Sequence, residues 1–220
     1  MAIQTTATPQ AIALFVPNLI GYFRIASALV SYVLAFTHPV WFLALYTLSF
    51  ALDAADGYAA RALNQATRFG AILDMATDRA ATSALVVIIS HTVGPLDRVS
   101  ILVASSLVFL DIISHFTRMY MSLISRRTSH KDTANTLFSL LKLYYSNRTF
   151  MGALCIGQEC FYLGYYLQHH FPSPTLFGLN WFVLAPLCFL KQVANVQQFI
   201  DALYQIAVAD AELRNADASK

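Results

Sequence analysis

The sequence predicts an all-α, polytopic membrane protein with six transmembrane helices and a short interfacial segment ahead of them. Three observations predict it. Of the residues, 57% are hydrophobic and only 12% are charged, with a mean hydropathy of +0.55; soluble domains carry about 25% charged residues. The apolar residues gather in runs of about 20, the length that crosses a bilayer. Short polar, proline- or glycine-containing breaks separate the runs, and 220 residues leave room for six of them.

The elements follow in order. Residues 1–16 are a polar start and a short apolar patch, 11–16, too short to span and suited to the interface. Pro17 suits the first turn of a helix, and the first span is expected over 18–36. Thr37, His38 and Pro39 break it. The second and third spans are expected over 40–62 and 69–91. Gly94 and Pro95 mark a turn before the fourth, 100–124. A polar, basic segment, 125–148, precedes the fifth span, 149–169. The sixth is expected from 176 towards 209, and its amphipathic part after Lys191 is expected to leave the membrane. The expected organisation is a cytoplasmic or interfacial segment, 1–16, one six-helix catalytic domain, 17–209, and a solvated tail, 210–220, with no internal repeat.

Composition also excludes some classes. Cys155, Cys160 and Cys188 sit in apolar runs, an odd set with neither a disulfide framework nor metal-ligand spacing. A net charge of +2 is too small to suggest a nucleic-acid partner. The first ten residues lack a basic region, so no cleavable signal peptide is expected. Arg61, Arg68, Arg126, Arg127, Lys131, Lys142, Arg148, Arg214 and Lys220 fall on one set of span ends, and Arg98 alone on the other. The positive-inside rule makes the first set cytoplasmic, with both termini on that side.

The stretch 53–78 concentrates the chemistry. Asp53 and Asp56 are three apart, and Asp74 and Asp78 four apart, so each pair shares a helix face. The polar turn between the pairs, with Arg61, Asn64, Gln65 and Arg68, lets the two helix ends meet. Four carboxylates at one point are costly in a membrane, at about 2.5–3.5 kcal/mol for each charge even on the lenient scale. Two divalent cations would neutralise them, and all-oxygen ligands favour Mg²⁺ or Mn²⁺. Two carboxylate-held metals suit displacement at phosphorus. Arg61 offers a phosphate its fork of donors. Gly57 and Gly70 let a ligand or a neighbouring helix approach the backbone. Thr67 offers a hydroxyl to a ligand or to a helix end.

The pattern D-x2-D-G-x2-A-R-x8-G-x3-D-x3-D is complete here as Asp53, Asp56, Gly57, Ala60, Arg61, Gly70, Asp74 and Asp78. It resembles the signature of the CDP-alcohol phosphatidyltransferases. The resemblance implies that family's six-helix fold, a homodimer, two metal ions, and transfer of a phosphatidyl group from a CDP-linked lipid to an alcohol with release of CMP. It implies Asp53, Asp56, Asp74 and Asp78 as metal ligands, with Asp78 also the general base. Gly57, Arg61 and Thr67 would touch the CDP moiety, with Gly70 on the opposite helix. The Pro17-Asn18 pair is similar to the family's too, and gives Asn18 either a nucleotide contact or a helix-capping role.

The acceptor is less constrained. Asp111, His115 and Arg118 fall at i, i+4 and i+7 on one face of the fourth span; they suit either a polar pocket wall or an internal ion pair. Lys131 and Arg148 suit either the same pocket or an anchoring role. Leu110 to His115, Ser129 to Lys131, Tyr144 to Arg148 and Cys155 to Tyr162 resemble the eukaryotic branch of the family that uses myo-inositol, which implies CDP-diacylglycerol and myo-inositol as substrates and the endoplasmic reticulum membrane as the location. Transfer to serine or glycerol 3-phosphate stays open. Remoter alternatives are an intramembrane prenyltransferase, which needs two Asp-rich motifs on distant helices, and a divalent-cation transporter, which needs polar residues in both membrane halves.

Overall fold

The computed structural model describes residues 8–94, 97–128 and 136–218, with the side chains of 125–128 left aside. Every regular element among them is helical: α1 (Pro9–Ala13), α2 (Val16–Leu34), α3 (Pro39–Ala62), α4 (Arg68–Val93), α5 (Arg98–Thr128), α6 (Ser139–Ser146), α7 (Arg148–His170), α8 (Pro174–Gly178), a π-helical segment (Leu179–Leu184) and α9 (Ala185–Ala218). The chain divides near Ile88 into two units, described separately below.

In the first unit, prolines set the helix starts: Pro17 lies in the first turn of α2, and Pro39 opens α3. The buried face of α2 carries Asn18, Gly21, Arg24, Ala28 and Ser31. Its outward residues, Leu19, Phe23, Leu29, Val30 and Val33, are exposed hydrophobics. Small and polar groups inside with apolar groups outside is the distribution of a helix packed in lipid, where close backbone approach replaces hydrophobic burial. α3 packs along this small-residue face through Phe42, Tyr46 and Ser49.

In the second unit, α9 packs against α5, α6 and α7. Leu141, Tyr144, Leu154 and Ala194 form a buried hydrophobic cluster. A Cβ on Gly157 would stand 2.7 Å from the Leu187 Cβ, so only glycine admits α9 this close to α7. Asn147 separates α6 from α7, and its Oδ1 accepts from the Phe150 amide, an N-cap that lets the chain turn there.

Among the described residues, two helices are both long and apolar enough to cross a membrane: Arg98–Ile124 and the continuous Pro174–Ala218. α2, α3, α4 and α7, of 19, 24, 26 and 23 residues, are about 28–39 Å long, comparable with a hydrocarbon core of about 30 Å. They carry the arginine, aspartates and other polar groups that lower their hydropathy.

The last helix departs from expectation in two ways. It runs unbroken to Ala218, past the expected end at 209, with 210–218 helical and exposed. The amphipathic part after Lys191 also has the opposite sense to a surface helix. Its polar stripe, Lys191, Asn195, Gln198 and Asp201, is buried, while Phe189, Val196, Ile200, Leu203 and Tyr204 are exposed. Within the basic segment expected over 125–148, α5 extends to Thr128 and α6 covers Ser139–Ser146.

Candidate active site

The site in the first unit is built on the turn between α3 and α4. Asn64 takes a left-handed conformation, φ 52°, which asparagine tolerates. The amides of Gln65 and Leu63 return to the carbonyls of Ala60 and Ala59 and close α3. Thr67 Oγ1 then accepts from the Gly70 amide, 3.0 Å away, and caps α4. The Gln65 side chain accepts from the Val16 amide, fixing this turn to the start of α2.

The turn brings the aspartates together, as their spacing predicts, and around a residue the motif does not contain. Arg24, 2% exposed at the middle of α2, points its guanidinium into the cluster. Its Nη1 lies 2.5 Å from Asp56 Oδ2 and 2.8 Å from Asp74 Oδ1. Its Nη2 lies 2.8 Å from Asp53 Oδ1 and 2.6 Å from Asp78 Oδ1. Its Nε donates to the Ser49 carbonyl, and Ser49 Oγ donates back to the Arg24 carbonyl. Four of these five contacts are hydrogen bonds, and the contact with Asp53 is an ion pair.

Asp53, Asp56 and Asp74 each offer an oxygen, all within 4.8 Å of one another, a spacing that can hold a metal ion. Asp78 stands outside that group of three but shares Arg24 with it; its Oδ2 lies 3.7 Å from Arg79.

A cavity of about 160 Å³ opens beside the cluster, lined by Asn18, Asp56, Gly57, Thr67, Gly70 and Asp74 among others. Asn18 is not the side-chain cap of α2: its Nδ2 donates to the Ile12 carbonyl at 2.6 Å. A Cβ on Gly70 would come within 3.0 Å of Asn18 Oδ1, so glycine there lets α4 approach α2. A Cβ on Gly57 would meet only the Arg61 guanidinium, at 3.5 Å. Arg61 itself is exposed and stands behind Gly57, outside the cavity lining.

The second unit holds the described residues expected at an acceptor pocket. Asp111 and His115 form one pair: His115 Nδ1 lies 3.6 Å from Asp111 Oδ1 and 2.8 Å from the Asp111 carbonyl. Arg118 joins a different group. It lies 3.5 Å from the fully buried Asp201 and 4.2 Å from the centre of the Tyr145 ring. Asp201 also accepts from the Leu137 amide and from Gln205, and Tyr145 donates to Gln198. Arg148 is the exposed first residue of α7, and among the described residues no hydrogen bond or ion pair joins it to these groups. Lys131 lies outside the described residues.

The family model for CDP-alcohol phosphatidyltransferase matches residues 14–168, a span that holds the whole aspartate site. The chain belongs to the CDP-alcohol phosphatidyltransferase family. Among its relatives is a protein of Candida albicans named CDP-diacylglycerol--inositol 3-phosphatidyltransferase, 43% identical over 92% of this chain and 86% of that protein. A human protein of the same name is 40% identical over 91% and 94%, and one of Saccharomyces cerevisiae is 36% identical over 96% and 93%. No solved structure matches the chain.

CDP-alcohol phosphatidyltransferases use a divalent metal, and the donor set here fits one: three clustered carboxylates supply the oxygen ligands that hard cations prefer. Sequence reasoning missed Arg24, Asp201 and Gln198. Arg24 carried a usable signal, because a lone arginine inside an apolar span must find a counter-charge.

Proposed function

We propose that the chain is a phosphatidylinositol synthase: it transfers the phosphatidyl group of CDP-diacylglycerol to myo-inositol and releases CMP. The observation that carries this is the complete aspartate motif, folded into one cluster, in a chain whose relatives over about nine-tenths of its length carry that enzyme's name.

An inositol hydroxyl attacks the β-phosphorus; its P–O bond forms as the bond to CMP breaks. Asp78 takes the hydroxyl proton on Oδ2, since Oδ1 is engaged by Arg24. Asp53, Asp56, Asp74 and Asp78 would hold divalent cations, which would supply positive charge beside the diphosphate. Two ions per site, Mg²⁺ or Mn²⁺, suit the four carboxylates. The cytidine diphosphate enters the cavity at Asn18, Thr67 and Gly70, where the bare Gly57 backbone admits it closely, and Arg61 swings in to meet phosphate oxygens. Asp111, His115, Arg118, Lys131 and Arg148 recognise the acceptor. Arg118 supports this best: its Nη1 is buried with no hydrogen-bond partner among the described residues.

The architecture goes with this reading: six spans within one catalytic domain over 17–209, assembled as a homodimer in the endoplasmic reticulum membrane, with both termini and the aspartates facing the cytosol. The outward apolar face of α9 supports its staying at membrane depth beyond Lys191. The test is acceptor-dependent CMP release. Serine or glycerol 3-phosphate in place of inositol would retain the chemistry and replace the acceptor.

A further inference from the structure

We infer that Arg24 is a built-in counter-cation of the aspartate site, which holds the four carboxylates together without a divalent ion and opposes the binding of one. The inference rests on the reading that these aspartates hold divalent cations.

Three features of the geometry lead to it. The guanidinium contacts one oxygen of each carboxylate, Asp53 Oδ1, Asp56 Oδ2, Asp74 Oδ1 and Asp78 Oδ1, while Asp53, Asp56 and Asp74 keep the spacing of a cation site. The side chain is anchored apart from the aspartates, through Nε to Ser49 and through Ser49 back to its own carbonyl. Its burial in α2 keeps water from screening it.

Four ionised carboxylates that share one spot repel one another. Arg24 reduces their summed charge from four negative to three and ties α2, α3 and α4 at one point. A divalent ion arriving at these carboxylates does the same work and meets a fixed positive charge a few ångströms away, so the two cations weaken each other's hold. Thermodynamic reciprocity then requires that removing the guanidinium strengthen ion binding while the ion-free protein loses stability. A purely structural residue would lower stability alone. A residue that preformed the ligand set for the ion would, when removed, lower stability and weaken binding.

The experiment reads Mn²⁺ binding directly, by electron paramagnetic resonance of free Mn²⁺ over the purified, detergent-solubilised full chain. Arg24→Gln is expected to bind Mn²⁺ about tenfold tighter than the wild type, within the usual range of coupling between sites. It is also expected to melt lower in EDTA and to gain more melting temperature on Mn²⁺ addition. Arg24→Lys keeps the charge but not the fork that reaches five acceptors, so a smaller tightening, about threefold, is expected of it. A folded variant whose affinity equals or falls below that of the wild type overturns the inference. A third readout needs no variant: the ¹⁵N side-chain signals of Arg24 in the wild type should shift as Mg²⁺ saturates the site, and signals that do not move overturn it equally. If the wild type binds no Mn²⁺, or Asp56→Asn leaves its binding unchanged, the reading of the aspartates as cation ligands fails and takes the inference with it. Binding by the wild type without tightening in either variant overturns the inference alone.

Discussion

Each unit carries an arginine among buried polar groups, and the two are used differently. Arg24 makes hydrogen bonds to Asp56, Asp74, Asp78 and the Ser49 carbonyl, and forms an ion pair with Asp53. Arg118 pairs its buried Nη1 with Asp201 Oδ2 at 3.5 Å without a hydrogen bond among the described residues, and its guanidinium lies 4.2 Å from the centre of the Tyr145 ring. A buried guanidinium held by four carboxylates and a carbonyl acts on its surroundings. An unsaturated one is an unmet donor, which a polyol hydroxyl can satisfy. By this comparison Arg24 is tied to the aspartates, and Arg118 keeps the capacity that the proposed acceptor role needs.

The sharpest break with this picture would come at the aspartates themselves. Asp78→Asn keeps the shape and removes the proposed base, and should lower CMP release by about 10²–10⁴-fold while CDP-diacylglycerol binding stays near wild type. Turnover at the wild-type rate would remove Asp78 from the chemistry. Next in size is Arg118→Ala, which should raise KM for inositol by about tenfold to a hundredfold, the worth of a charge-assisted hydrogen bond, with KM for the CDP-lipid little changed. If both constants rise together, Arg118 only packs the second unit. Asp201→Asn, which weakens the group orienting Arg118, should move the same KM in the same direction by less, about three- to tenfold.

Arg148→Ala is expected to act more weakly still. The residue is exposed, and exposed ionic contacts are weak, so the rise in KM for inositol should stay within about fivefold and exceed that for the CDP-lipid. Equal effects would make Arg148 a membrane anchor. The smallest effect lies outside both sites. Asp97 caps α5, accepting from the Ser100 amide and hydroxyl, and these bonds hold its carboxyl below the usual range. A depressed folded pKa means that the cap contributes above the unfolded value, about 3.9, and is lost as pH falls through the folded one. The melting temperature of Asp97→Asn should lie slightly below wild type at pH 6, and the gap should close as the pH drops below about 4. A gap that persists in acid would show that the charge of the Asp97 carboxylate is not its cause.

Much of the first unit was legible in the sequence. Helical spacing placed Asp53 with Asp56 and Asp74 with Asp78, and the polar turn between them predicted the fold-back. Arg24 was not read, because one charge inside a run of apolar residues lowers the hydropathy without breaking the helix. Only the demand for a counter-charge shows that it must face the aspartates. In the second unit, the spacing of Lys191, Asn195, Gln198 and Asp201 is plain, but periodicity does not say which face of a helix is inside. Water solvates the polar face of a surface helix, and lipid reverses that preference, so one pattern fits both. Pairing was also ambiguous: i, i+4 and i+7 placed Asp111, His115 and Arg118 on one face, yet Arg118 extends to a carboxylate eighty-three residues away in sequence.

The central claim, phosphatidyl transfer to inositol at the aspartate cluster, is tested most directly by CMP release from the purified protein. It would be supplied with CDP-diacylglycerol and Mg²⁺ and offered myo-inositol, serine or glycerol 3-phosphate separately. The account predicts release with myo-inositol alone, abolished by EDTA and restored by Mg²⁺ or Mn²⁺. Release with a different alcohol, or none from the folded protein with metal present, would contradict it.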